Sequence, residues 1–193
     1  MTCDVENHWE EVTAFLSAVR EGAVCLIGAF QTQIVHNKAL FYVLRNPLTA
    51  QFLFADEVRF IEDHVPKTYL LDGNCSMLED LLTNQERWII KPVDNYNAHN
   101  VYAGLDANKE TWRNIVRDCL GTGDYIMQEF MVPWQKTNIL PTSKAGETSL
   151  FKQMTGIYLY GGKVRGILSR ASEHNIIAGA RGDITLATVV VET

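Results

Sequence analysis

The chain has 193 residues and a net charge of −6, and 47% of its residues are apolar. This apolar fraction suffices for the core of one large domain or two small lobes, and no apolar run approaches the roughly 20 residues that a bilayer requires. The acidic balance argues against a nucleic-acid surface, which needs a basic face, but it leaves room for a small anion held by a few lysines.

The N-terminal sequence and the cysteine spacing indicate the compartment of the protein. The acidic N-terminus lacks the basic start and the apolar stretch of a signal peptide. The four cysteines are widely spaced and form no C-x-x-C pair, which is typical of buried or incidental thiols in a reducing cytosol. We therefore expect a cytoplasmic protein with neither a membrane nor a nucleic acid as partner.

The first part of the chain, residues 1–85, is predicted to combine helices with short strands. Apolar residues at helical spacing predict a helix over 5–20, and the continuous apolar run 23–28 is typical of a buried parallel strand. Helices over 38–45 and 56–64 end before prolines. A strand follows at 68–71, and Ser76 with Glu79 forms a capping box for a short helix.

The second part, residues 86–193, is predicted to be a lobe with a mixed or antiparallel sheet. Strands at 87–91 and 100–104 flank a polar loop, Asn108 caps a helix over 109–120, and a strand runs over 124–130. Residues 131–147 show no periodicity and predict a long loop. Two alternating runs, 151–160 and 163–169, flank Gly161-Gly162 and predict a tight hairpin, followed by a strand at 185–191. The fold class is α/β or α+β.

Two lysines and one polar hinge carry a family resemblance. The run Trp88-Ile89-Ile90-Lys91-Pro92 brings Lys91 to a strand end, and the strand Tyr125 to Phe130 ends in Gln128-Glu129. Upstream, Lys38 precedes a helical segment and the run 63–68. This order and spacing, over about residues 20–170, resembles the ATP-grasp nucleotide clamp, and in particular the C-terminal part of circularly permuted ligases related to glutathionylspermidine synthase.

The resemblance implies an ATP-grasp-like fold and a carboxylate–amine (peptide-type) ligase that acts through an acyl phosphate. Its implied cofactors are ATP and Mg²⁺, and its implied partners are small-molecule carboxylate and amine substrates. By this resemblance the two lysines contact the phosphates and the Gln-Glu hinge reads the adenine. The candidate cofactor-binding residues are Lys38, Lys91, Tyr96, His99, Gln128, Glu129, Phe130 and Met131, and the candidate catalytic residue is Arg170.

Each candidate also has an ordinary structural interpretation. Lys91 and Arg170 are also typical of surface residues at strand ends, and Lys38 of an exposed residue near a helix start. Since successive strand residues point to opposite faces, only one of Gln128 and Glu129 is expected to face a pocket.

Two departures from the family pattern leave the activity open. Asn97 and Asn100 stand where relatives place glycine, although Asn tolerates left-handed backbone. Relatives place their magnesium ligands in a preceding half, and the local candidates Glu173, Asn175 and Asp183 are not assigned as ligands. The chain is then either part of a longer ligase, whose N-terminal half would be its partner, or a non-catalytic nucleotide-binding or protein-interaction module. An unrelated α/β domain is the remaining alternative.

Overall fold

The computed structural model describes residue 5 and residues 7–28, 32–139 and 148–189. The described helices are α1 (Trp9–Arg20), α2 (Gln33–His36), α3 (Ala39–Leu44), α4 (Pro47–Ala50), α5 (Ala55–His64), α6 (Leu78–Thr83) and α7 (Lys109–Cys119). The described strands are β1 (Thr68–Leu70), β2 (Trp88–Pro92), β3 (Tyr102–Ala103), β4 (Tyr125–Glu129), β5 (Trp134–Ile139), β6 (Thr148–Tyr160), β7 (Lys163–Ser172) and β8 (Ile184–Leu186).

The first part of the chain contains helices but no strand before β1 among the described residues. The prediction of a buried parallel strand at 23–28 is therefore wrong. This run is flanked by Gly22 and Gly28, both at positive φ, and its residue Ile27 is 79% exposed. A strand needs a neighbour that satisfies its backbone groups, and no described strand pairs with this run.

The first sheet has the order β1-β4-β2-β3, and all of its pairings are antiparallel. α7 connects β3 to the central strand β4. Its buried residues Trp112, Val116 and Cys119 lie four and three positions apart, which places them on one helix face. Asn108 caps the helix as predicted, because its Oδ1 accepts a hydrogen bond from Thr111 N at 2.8 Å.

The main core lies between this sheet and the helices α6 and α7. It contains Trp88 and Ile90 of β2 and Met127 of β4, together with buried residues of the helices and loops, namely Leu71, Leu81, Trp112, Val116 and Cys119. The indole of Trp88 donates to Asp80 Oδ2 at 2.8 Å, which satisfies its N–H inside the core. The capping box predicted at Ser76 is wrong, because α6 begins at Leu78 and Met77 supplies no side-chain cap.

The second sheet has the order β5-β6-β7-β8 and is also antiparallel throughout. The predicted hairpin is confirmed: Gly161 and Gly162, both at positive φ, join β6 to β7. The predicted loop over 131–147 is wrong in part, because residues 134–139 form β5 against β6; residues 140–147 lie outside the described ranges. The predicted last strand is shorter, ending at Leu186, and its residues 190 and 191 lie outside those ranges too.

The molecule is thus a mixed α+β protein with two antiparallel sheets. The predicted division at residue 85 falls inside the first sheet, because β1 from the first part pairs with β4 from the second. In the order β1-β4-β2, Lys91 of β2 and Gln128 of β4 lie on neighbouring strands. This arrangement positions the candidate site.

Candidate functional site

A cavity of about 520 Å³ lies on the face of the first sheet opposite α6 and α7. This volume is in the range of small-molecule sites. The sheet contributes Ile89, Lys91 and Gln128, whose register places them on the face opposite Trp88 and Ile90. The walls come from the loop after β2, the segment after β4, strand β6 and the segment after β7. In this order their lining residues include Tyr96 to Ala98, Phe130 to Pro133, Met154, and Asn175 to Ile177.

Lys91 enters the cavity from β2 and is held by a chain of hydrogen bonds. Its Nζ donates to Gln128 Oε1 at 2.7 Å. Gln128 Nε2 donates to Thr68 Oγ1 at 2.8 Å, and that hydroxyl donates to Pro66 O at 2.9 Å. Because the Thr68 hydrogen is used by Pro66, its oxygen must accept from the amide, so the carbonyl of Gln128 is the end that faces Lys91.

Lys38 reaches the same cavity from the turn before α3. Its backbone N–H donates to Val93 O at 2.7 Å, and its Nζ donates to Asn95 O at 2.7 Å. These two bonds tie the lysine to the loop that follows β2. Asp94 of that loop lies 3.3 Å from His36 Nε2, so the segment before α3 and the loop are joined at several points.

The two lysines make the cavity electropositive. Burial, followed by the neighbouring charge of Lys38, lowers the pKa of Lys91 to about 8. Burial also lowers the pKa of Lys38, and the carboxylate of Asp94 acts in the opposite direction. No carboxylate of the described residues forms an ion pair with Lys91. Glu129 also lines the cavity, but Lys91, which is buried beside a second cation and has no ion-pair partner in the described residues, favours an anionic ligand.

The hydrogen-bonding groups of the Gln-Glu hinge are largely used within the protein. Gln128 faces the cavity but both ends of its amide are engaged. The backbone N–H groups of Glu129 and Phe130 donate to Lys67 O and Arg87 O, each at 2.8 Å. Within the described residues Met131 N has no acceptor, and it lines the cavity. The backbone N–H of Met131, two residues after Glu129, is therefore a candidate donor to a ligand.

The loop between β2 and β3 closes one side of the cavity in left-handed conformation. Asn97, Ala98 and Asn100 have φ values of 55°, 56° and 55°. Asn97 Oδ1 accepts from Ala180 N at 3.2 Å, and Arg181 Nη2 donates to Val101 O at 3.0 Å. Ala98 and Val101 also pack with Ile89, Ala103 and Ile176, so the loop is anchored to the first sheet and to the segment between β7 and β8.

The structure brings most of the predicted site residues together but not all of them. Tyr96 lines the cavity, whereas His99 packs against its ring, edge to face, with centroids 6.1 Å apart, and is not in the lining. Arg170 also lies outside the lining. It pairs in register with Met154, which does line the cavity, and its Nη1 lies 3.6 Å from Asp183 Oδ2. That carboxylate oxygen is buried without a hydrogen bond in the described part of the chain.

The donor set for a metal is sparse. In the ranges that the structure describes, no three His, Cys, Asp or Glu side chains are placed to hold a metal ion together. Asn175 Nδ2 donates to Asp106 Oδ1 at 2.6 Å, and Glu173 O accepts from Lys152 Nζ at 2.8 Å. We therefore assign no residue to Mg²⁺. None of the helices in the described ranges combines the length and apolar character of a membrane-crossing helix.

Three contributions to the site were missed by sequence reasoning. Thr68 orients Gln128, and Met154 and Ile176 supply apolar walls. The alternation of the predicted strand 151–160 indicates the face on which Met154 lies, but it does not indicate that this face meets the first sheet. Thr68 requires the register of β1 on β4, which no local pattern gives. No protein-family model and no curated protein matches the chain.

Proposed function

We propose that the cavity binds ATP and that the chain is the nucleotide-binding portion of an ATP-grasp carboxylate–amine ligase of the glutathionylspermidine synthase type. The observation that carries this proposal is the convergence of Lys38 and Lys91, 53 positions apart by their numbers, in one cavity, where neither forms an ion pair with an acid of the described residues. A polyphosphate supplies the negative charge that this arrangement lacks.

The phosphate end of the ligand is assigned to the two lysines. Lys91 is positioned by Gln128, and Lys38 by Asn95 O. Each keeps N–H groups that are not used by these protein acceptors, since an ammonium group carries three donors. The left-handed loop over 97–100 lies beside them. Successive turns of this kind bring backbone N–H groups close to phosphates.

The adenine end is assigned to the segment after β4. The backbone N–H of Met131 has no acceptor among the described residues, and Phe130, Val132 and Met154 contribute apolar surface. A base needs a donor at its edge and apolar contacts on its faces. The side chain of Gln128 is excluded from reading the base directly because its amide orients Lys91.

Acyl-phosphate chemistry with small carboxylate and amine substrates is the reaction that this assignment implies. The transferring phosphoryl group needs charge neutralisation and positioning. The lysines supply part of that charge, and Arg170, which pairs in register with the cavity residue Met154, is a further cation on the same face of the hairpin. When bound, Mg²⁺ would supply more. The remaining substrate site would come from an N-terminal half of such a ligase.

The test is calorimetric titration of ATP into the wild type and into Lys91→Ala and Lys38→Ala. Each substitution should weaken binding by about tenfold or more, because each removes one phosphate-contacting charge. Lys163→Ala, on the hairpin tip, is the matched control and should bind as the wild type does. Equal affinity in all four proteins would overturn the assignment of the phosphate site.

The second candidate is a non-catalytic ATP-binding or protein-interaction module. It is favoured by the sparse donor set for a metal near the cavity. A single-turnover measurement of ADP formation with mixed carboxylates and amines separates the two: formation of ADP supports the ligase, and binding without ADP supports the module.

A further inference from the structure

The amine of Lys91 is held by a single, oriented acceptor. Its Nζ donates one N–H to Gln128 Oε1 at 2.7 Å, and the Gln128 amide cannot turn over without losing its bond to Thr68. A neutral amine in this position donates one N–H to the protein and keeps its lone pair available. Because Lys91 lines the cavity, that lone pair can meet a small molecule there.

The charges around Lys91 favour loss of its proton. Lys38 is the like charge that acts on it. Asp94 acts on Lys38, and Glu129 also lines the cavity but forms no ion pair with Lys91 among the described residues. With a pKa lowered to about 8, a much larger share of Lys91 is neutral near neutral pH than of an ordinary lysine.

We propose that Lys91 is an acylation site at which small acyl phosphates transfer their acyl group to Nζ, with Lys38 holding the phosphate. Desolvation beside a second cation is a known way to make a lysine amine nucleophilic. The site is defined by the lysine pair and does not depend on nucleotide binding. Its reagent class, a carbonyl joined to a phosphate, matches one nucleophile and one fixed cation in the same cavity.

The reaction needs no further reactant. The neutral Nζ attacks the acyl carbon, a C–N bond forms, and the C–O bond to phosphate breaks. The phosphate leaves with the bonding electron pair and takes up the proton that the nitrogen releases. The products are an amide on Lys91 and inorganic phosphate. Lys38, held by Asn95 O, stabilises the charge of the leaving phosphate.

Acylation of Lys91 weakens the binding of anions in the cavity. The amide nitrogen keeps one hydrogen for Gln128 Oε1, so the local structure is preserved. The positive charge of Lys91 is lost, and one of the two lysine charges of the cavity is removed. A single modification therefore lowers anion affinity without removing a core contact.

The experiment treats the full chain with acetyl phosphate and follows each lysine by peptide mass spectrometry. The exposed Lys163 is the internal reference. Lys91 should be acetylated at least about tenfold faster than Lys163 at pH 8, and its rate should level off above that pH while that of Lys163 continues to rise. Equal rates at the two lysines in the wild type would overturn the proposal, and this comparison needs no variant.

The role of Lys38 is tested with a second reagent, the uncharged ester p-nitrophenyl acetate. In Lys38→Met the ratio of the acetyl phosphate rate to the ester rate at Lys91 should fall by about tenfold. The ratio cancels any change in the protonation of Lys91, since both reagents meet the same amine. An unchanged ratio would refute phosphate holding by Lys38.

Discussion

The chain before Thr68 and the chain from Thr68 to Glu129 differ in how they are stabilised. Among the described residues before Thr68 none is buried, and Phe52 is 87% exposed. The following region buries Trp88, Trp112 and Met127 almost completely. Yet each region contributes one lysine to the cavity. The difference shows that the scaffold and half of the site's charge come from parts of the chain with unequal stability.

The junction between the two regions is made by polar contacts. Lys38 bonds to Val93 and Asn95 through its backbone and side chain, and His36 Nε2 lies 3.3 Å from Asp94 Oδ1. Within the first region, Arg45 Nη1 donates to the backbone carbonyls of Ile61, Glu62 and Val65. Polar contacts of this kind fix geometry but add little stability after exchange with water. We therefore expect substitutions in the two regions to differ in their effect on stability.

The largest effect is expected from Trp112→Ala. This side chain is fully buried, and its indole N–H donates to Leu81 O at 2.8 Å. Its removal leaves a cavity and should lower the free energy of unfolding by about 3–5 kcal/mol. Urea denaturation measures the change. Phe52→Ala, in the exposed region, should change it by no more than about 0.5 kcal/mol, and similar losses in the two variants would erase the contrast.

The pH dependence of stability should show the burial of Lys91. Its pKa is lowered to about 8 in the folded chain, so between about pH 8 and pH 10.4 the unfolded chain binds more protons at this position. The unfolding free energy contributed by Lys91 therefore rises through this window, by about 1–3 kcal/mol.

Subtracting the profile of Lys91→Met isolates this contribution from other groups. Cys119 acts in the opposite sense, because burial raises its pKa to about 11. A flat difference between the wild type and Lys91→Met over pH 8–10 would show that Lys91 is solvated.

Arg45→Ala should affect the first region alone. Loss of its bonds to the carbonyls at the end of α5 should destabilise that helix by about 1 kcal/mol. Hydrogen exchange would show this as faster exchange over residues 55–65 with unchanged protection in β2 and β4. Arg59→Ala, an exposed change in the same helix, is the control. Loss of protection throughout the sheet would mean that the two regions unfold together.

The smallest effect is expected from Ala98→Gly. Ala98 has a φ of 56°, where the Cβ atom is unfavourable and glycine is not. The substitution should stabilise the chain by about 0.5 kcal/mol, measured by thermal unfolding. Ala103→Gly in the same apolar cluster, with ordinary extended backbone, should destabilise it instead, and a gain in both variants would disprove the backbone explanation.

Local patterns were sufficient where the physical cause is local. The cap at Asn108 and the turn at Gly161-Gly162 depend on residues that are neighbours in sequence, and both were predicted. The strand expected at 23–28 was wrong because strand formation requires a distant partner, and β5 was missed for the same reason. Alternation predicts which residues of one strand share a face, but the joint placement of Lys91 and Gln128 depends on the pairing of β2 with β4, and the bond from Gln128 to Thr68 depends on the pairing of β1 with β4.

One consequence of the central position of β4 concerns how this protein can change. Met127 points into the core and Gln128 into the cavity. Neighbouring positions of this strand are therefore constrained by different things, one by core packing and the other by the lining of the cavity. Substitution at Gln128 is expected to change the lining of the cavity while leaving the hydrophobic interior intact, and substitution at Met127 is expected to do the reverse. Insertion of one residue would exchange the two faces and damage both at once. The lining of the cavity can therefore diverge by point substitutions along this strand, whereas changes in its length are strongly disfavoured.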